Sequence, residues 1–220
     1  MHAPRHVPVL DLVAERLRDT FGEPDARASV TFLGTERIEV LRFPLPGQGP
    51  PPDQGTPPAT SRPPGQGLVC YATLGMSAAP MADPTAAVAD PERGPRAELL
   101  LTLRAGLAPV DQVLRPLATF AATPQVEGLV VAPGGSLELG EPLWPGAAFR
   151  AVLVGEGGDP VPDLELPEPL SPVRFLPLLP MTPAEAAWKR ARGAPALAER
   201  WASAGTDLTS PTRSAVSLQG

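Results

Sequence analysis

Histidine is nearly missing from this sequence. It occurs only at His2 and His6, close to an end that is expected to fray. The body of the chain therefore offers nothing to a His-dependent triad or general base, and a histidine-rich metal site is excluded. Cysteine is limited to Cys70, which rules out an intramolecular disulfide and any cysteine-rich zinc site. Cys70 lies between Val69 and Tyr71, where a small buried hydrophobe is a better reading than a nucleophile. Lys189 is the only lysine, so the other basic side chains are arginine. Aromatic residues make up 5%, and the core must be built largely from Leu, Val and Ala. No stretch approaches the ~18 apolar residues of a spanning helix. The N-terminus carries no apolar run of signal-peptide length. The expectation is a cytoplasmic chain with no membrane partner. With 18 basic and 24 acidic residues the net charge is −6. A chain-wide basic face, which would release counterions from phosphates, is missing, so no nucleic-acid partner is expected.

What the sequence has in excess is proline, 32 residues, and glycine, 21. Many of them gather between Pro44 and Gly67, where Leu45 is the single large apolar side chain. Such a segment cannot bury enough surface to offset its ordering entropy. It reads as a disordered, partly polyproline-II insertion between strands.

Elsewhere the apolar spacing is regular. Leu10, Val13, Leu17 and Phe21 predict a helix over 8–21, ended by Gly22 and Pro24. Ser29–Leu33 and Arg37–Phe43 read as strands joined by a turn at Gly34-Thr35, with a bulge or a change of covering near Val40. Leu68–Ser77 resumes as a strand, and 77–95 is irregular. Glu98–Arg104 is the clearest strand, with Leu99, Leu101 and Leu103 on one face and Glu98, Thr102 and Arg104 on the other. Val110, Val113, Leu114, Leu117 and Ala121 mark a helix that either kinks at Pro116 or begins near Leu114. Leu129–Val131, Ser136–Leu139 and Phe149–Val154 read as short strands, and 155–159 as a hairpin turn.

The stretch 173–205 is the most informative. Val173 and Phe175 alternate with Arg174 as in a half-buried strand. Leu176, Leu178 and Leu179 predict a continuation covered on both faces, with Pro177 and Pro180 pointing to an edge position or an early end. Thr182-Pro183-Ala184-Glu185 carries the signature of a capping box. Trp188 is placed on the face of Ala184, Gly193 is a left-handed terminator, and Pro195 restarts a helix bearing Leu197 and Trp201. Both tryptophans are expected to be buried. The order of elements predicts an α+β, or mixed α/β, fold with helices covering a mostly antiparallel sheet.

Five stretches together resemble the suppressor of fused-like domain family, in its bacterial single-domain form. They are Tyr71–Ser77, with a Thr-x-Gly-x-Ser core; Arg96-Ala97-Glu98-Leu99-Leu100; the glycine turn Leu137–Pro142; Arg174–Trp188; and Asp207–Ser214, ending in Thr212-Arg213-Ser214. The resemblance divides the chain into a helical lead-in at 1–27, a domain at 28–216 interrupted at 44–67, and a tail at 217–220. It implies a mixed α/β domain without a recognised active site. Eukaryotic members restrain a zinc-finger transcription factor in Hedgehog signalling. Several bacterial members resemble immunity proteins of toxin systems. A chain that stops soon after the last motif and carries a long Pro/Gly insertion fits the bacterial type.

The function this implies is non-enzymatic protein binding, with a basic toxin as a fitting partner for an acidic chain. No cofactor and no metal are expected. Glu98, Arg174, Glu185 and Arg213, where the family-like motifs converge, are the candidate partner-binding residues. A carboxylate-dependent enzyme is the alternative, and it requires a cleft holding two carboxylates that shift each other's pKa.

Overall fold

Alternation along the strands builds two cores, one on each face of a single sheet. The computed structural model describes residues 8–32, 37–45, 67–82, 90 and 92–218. Seven strands, β1 (Ala26–Val30), β2 (Ile38–Leu45), β3 (Leu68–Leu74), β4 (Arg96–Arg104), β5 (Ser136–Glu138), β6 (Ala151–Val154) and β7 (Val173–Met181), form a sheet in the order β1-β2-β3-β4-β7-β6-β5. Among the described residues only the β4–β7 pair is parallel. The helices are α1 (Val9–Phe21), α2 (Leu114–Glu127), α3 (Pro183–Arg192) and α4 (Ala194–Ser203). This is the α+β fold expected from the element order.

On one face Ile38, Val40, Tyr71, Leu99, Leu101 and Leu176 pack with Leu117 and Phe120 of α2. On the other, Leu41, Phe43, Cys70, Leu100 and Phe175 pack with Val13 and Leu17 of α1 and with Leu164 and Leu166. The period of two thus sends alternate residues of β2, β3, β4 and β7 into different cores. A third cluster joins Leu197 and Trp201 of α4 to Ala151, Leu153 and Met181.

Several expectations change in detail. The register of β2 against both neighbours is unbroken, so the apolar switch near Val40 is a change of covering and not a bulge. β7 is central, not an edge: residues 173–177 pair with β4 and residues 178–181 pair with β6. Its prolines are tolerated because neither half is laddered to both strands, and the Pro180 carbonyl is taken by Arg213 at 2.6 Å. Residues 129–131 are irregular. The stretch 155–159 opens a long excursion to β7 instead of a tight turn. α2 begins at Leu114 after a 3-10 turn at Val110–Val113, so Pro116 sits in its first turn. The insertion expected at 44–67 lies outside the described residues apart from its ends, where Pro44 and Leu45 complete β2 and Gly67 leads into β3. The turn at Gly34-Thr35 and both histidines also lie outside them.

Candidate functional site

Four of the five motif stretches fold into two hydrogen-bonded clusters, each centred on a buried glutamate. The first forms where β3 leaves the sheet. The β3–β4 ladder reaches Ala72 opposite Leu100, and beyond it the Thr73 hydroxyl takes the Leu99 N–H at 2.8 Å. That leaves the hydroxyl hydrogen free for Glu98 Oε2 at 2.6 Å. The chain then turns at Gly75, with φ of +136°, where a Cβ would lie 2.5 Å from the Arg37 carbonyl oxygen. A glycine is required there on both counts. After it, Met76–Ala78 makes one 3-10 turn. Glu98 Oε1 accepts from the N–H groups of Gly75 and Ser77, at 2.9 and 3.0 Å, and from the Ser77 hydroxyl at 2.6 Å. Arg96 holds the opposite polarity of the same turn, donating to the carbonyls of Ser77 and Ala78. Burial pushes the Glu98 carboxyl above its ordinary value, and the hydrogen bonds from Ser77, Thr73 and the Gly75 N–H offset this only in part.

The second cluster forms beyond the end of β7. Thr182 caps α3, accepting from the Glu185 N–H while Glu185 Oε2 accepts from the Thr182 N–H at 2.8 Å. The same carboxylate accepts from Trp201 Nε1 of α4 at 3.0 Å and from the Val216 N–H of the C-terminal segment at 3.1 Å. Arg213 closes the cluster with Nη1 on Oε1 at 2.7 Å and Nη2 on Oε2 at 3.1 Å. Its guanidinium also stacks on Phe149 and Trp201. Burial works against the Glu185 charge, but the bonds from Arg213, Thr182, Trp201 and Val216 overcome it, and its pKa is held below the ordinary value. The Leu137–Pro142 turn and Asp207 fasten the surroundings. Glu138 pairs with Arg190 of α3, Arg150 donates to the Gly140 carbonyl, and Asp207 pairs with Arg104.

The four candidate residues therefore occupy different settings. Glu98 and Glu185 are 0% exposed, and the side chain of Arg213 is 6% exposed. Arg174 alone faces solvent, with a side chain 40% exposed between Glu156 and Asp163. Glu185 and Arg213 are brought together; Glu98 and Arg174 are each apart from them. Glu98 lies opposite Phe175, so Met181 and the Glu185 cluster are about 20 Å further along β7. The two glutamates share no cleft, and their pKa values move through separate surroundings. Among the described residues, no group of three or more His, Cys, Asp or Glu side chains is placed to hold a metal ion. Burial pushes the Cys70 thiol up to about 12, against a smaller opposing effect of its Thr102 hydrogen bond.

Sequence reasoning placed Glu98 on a polar face and missed Arg96, Trp201 and Val216 as partners of the clusters. The one available signal was the pair of charges, Arg96 and Glu98, at the start of an otherwise apolar strand. Trp201 is buried as expected. Trp188 is only half-buried, and Ala184 beside it is exposed, because α3 turns Glu185 and Ala186 inward instead.

The sequence model of the suppressor of fused protein family matches residues 34–214. The chain belongs to that family. Suppressor of fused proteins form a protein-interaction family, and the motifs that build the two clusters lie within the matched region. Solved structures give the same fold. A suppressor of fused homolog from Neisseria gonorrhoeae FA 1090 is 16% identical, with a TM-score of 0.61 over 96% of this chain and 97% of that one. A chain in the crystal structure of the Sufu–Fu complex is 12% identical, with a TM-score of 0.62 over 94% and 90%. Drosophila Suppressor of Fused is 14% identical with a TM-score of 0.53; 91% of this chain covers 46% of that longer one. No curated protein matches the chain. Among the described residues no helix is long and apolar enough to cross a membrane.

Proposed function

We propose that this suppressor of fused domain works in the cytoplasm by binding and restraining a protein partner, that it performs no chemistry of its own, and that the partner is a basic toxin which it neutralises. Membership of a protein-interaction family carries this reading. The placement of the charged groups supports it. Glu98 and Glu185 accept their hydrogen bonds from the protein itself, and Arg213 gives both of its Nη groups to it. A catalytic carboxylate needs a path to a substrate, and neither glutamate has one in this conformation.

Arg174 is the candidate residue that meets a partner directly, with Glu156 and Asp163 beside it. Glu98, Glu185 and Arg213 contribute from inside by fixing the turn at 75–78 and the C-terminal segment. The binding unit is residues 28–216, to whose core α1 adds Val13 and Leu17. A net charge of −6 speeds association with a basic partner, and the gain falls as salt rises.

Affinity capture from the native host tests the reading. One basic protein should be retained, less at high salt and less by a Glu156→Arg/Asp163→Arg variant. Retention of no protein, together with turnover of a small molecule that Glu98→Gln or Glu185→Gln abolishes, would replace it with the carboxylate-enzyme reading.

A further inference from the structure

The α3–α4 hairpin has a charge character opposite to that of the whole chain. Lys189, Arg190 and Arg192 occupy the last turn of α3, and Arg200 the last turn of α4. Part of this is structural, since cations at a helix C-terminus offset its dipole. Arg190 is also paired with Glu138, and Lys189 donates to Ser136. Arg192 and Arg200 are different: among the described residues neither has a carboxylate partner. Both lie over the ring of Trp188, at 5.5 and 5.6 Å from its centre.

Trp188 is the exception among the tryptophans, since Trp144 and Trp201 are each 2% exposed while Trp188 is half-open. Its Nε1–H is enclosed and meets no acceptor, which is an uncommon condition for an indole donor. Beside it lies a cleft of about 460 Å³ lined by Trp188, Arg192, Ala196, Glu199, Arg200 and Ser203. That size suits one or two side chains and a stretch of backbone.

We infer that the cleft between α3 and α4 is the docking site for an acidic peptide segment of a protein partner. Two guanidiniums without counterions match carboxylates bidentately. The part of the Trp188 ring that lines the cleft offers an apolar edge for a neighbouring aliphatic side chain. A nucleic acid fits less well. A long polyanion experiences the net charge of −6 and the Glu199 carboxylate on the rim, whereas a short segment responds to charges within a screening length of about 8 Å. The inference rests on the proposed protein-binding role and names a second contact for it, separate from the acidic surface near Arg174.

The probe is a synthetic peptide of alternating Glu and Leu, free of Trp and Tyr, added to the full-length 15N-labelled chain. The Trp188 indole resonance, assigned by its loss in Trp188→Phe, should shift saturably while those of Trp144 and Trp201 stay in place. Affinity should fall at least tenfold in Arg192→Glu/Arg200→Glu, and a Gln/Leu peptide should not bind. If the charge reversal unfolds the chain, Arg192→Gln/Arg200→Gln serves the same purpose. No shift, an equal shift with the Gln/Leu peptide, unchanged affinity in both variants, or tighter binding of oligothymidylate overturns the inference. Capture from the host separates it from the broader reading. A partner retained undiminished by Arg192→Glu/Arg200→Glu removes the cleft and leaves the protein-binding role standing. Peptide binding at Trp188 by a chain that captures no protein supports the cleft and counts against that role.

Discussion

Near the start of β4, Glu98 accepts hydrogen bonds from Thr73, Gly75 and Ser77. Beyond the end of β7, Glu185 accepts them from Thr182, Trp201, Arg213 and Val216. Both carboxylates are sealed from water and both organise a chain reversal. Yet Glu98 is held above its ordinary pKa and Glu185 below it. The difference is the cation. Hydroxyl and amide dipoles offset only part of the cost of burying a charge, while the guanidinium of Arg213 supplies a full opposite charge at hydrogen-bond distance. The Glu98 cluster fixes a local turn within neighbouring strands. The Glu185 cluster ties α3, α4, β7 and the C-terminal segment together.

The sharpest way to break the comparison is to remove the cation. Arg213→Ala leaves a buried, uncompensated carboxylate and should cost about 3–5 kcal/mol in urea unfolding. Glu185→Ala should cost a similar amount, and the double variant clearly less than the sum. A loss below about 1 kcal/mol, the ceiling for a surface ion pair, would mean that water reaches the cluster and that the two glutamates are not distinguished by their partners.

Next in size is Thr73→Ala in the Glu98 cluster. It takes one hydrogen bond from Glu98 and leaves the Leu99 N–H without its acceptor. A buried unsatisfied group costs about 1–3 kcal/mol. Thr73→Ser should recover most of it. If Thr73→Val, which keeps the shape without the hydroxyl, matches the wild type, the hydroxyl is not what holds the turn.

The pH profile separates the clusters by sign. For Glu185 the folded pKa lies below the ordinary 4.5. Its stabilisation is present above that value and lost as pH falls through the depressed folded pKa. For Glu98 the folded pKa lies above 4.5. Its contribution is complete below the ordinary value and lost as pH rises through the raised one. Glu185→Gln should therefore flatten the acid limb of stability against pH, and Glu98→Gln the loss on the neutral side. Identical profiles in both variants would show that the two environments are electrostatically alike.

How much of this was legible in the sequence follows from how far apart the partners lie. Thr182 and Glu185 are three residues apart, and their capping box was readable because both halves fall in one turn. α1 and the alternation of β4 were legible for the same local reason. Glu98 was placed on the polar face of its strand, with its partners unseen, because its donors lie more than twenty residues earlier and a period of two cannot tell a second core from water. β7 was read as an edge or an early-ending strand because its prolines are visible in sequence, while the hand-over of its pairing from β4 to β6 is not. Arg213 and Glu185 were both singled out, but their contact spans the whole C-terminal segment and only the fold brings them together.

The smallest effect concerns the cap itself, which tests whether Glu185 is a helix-capping residue or the centre of a cluster. The Thr182 hydroxyl meets the Glu185 N–H at 3.3 Å, a longer bond than those made by the carboxylate. Removing it in Thr182→Ala should cost about 1 kcal/mol, the usual worth of an N-cap, and Thr182→Ser should be nearly neutral. This loss is several-fold smaller than the one expected for Arg213→Ala, because α3 keeps the carboxylate end of its capping box and the chain keeps the ion pair behind it. If Thr182→Ala instead costs as much as Arg213→Ala, the hydroxyl is positioning the carboxylate for Arg213, and the cap and the ion pair form one cooperative unit. A double-mutant cycle between Thr182→Ala and Arg213→Ala measures that coupling directly, and a value near zero keeps the two roles of Glu185 separate.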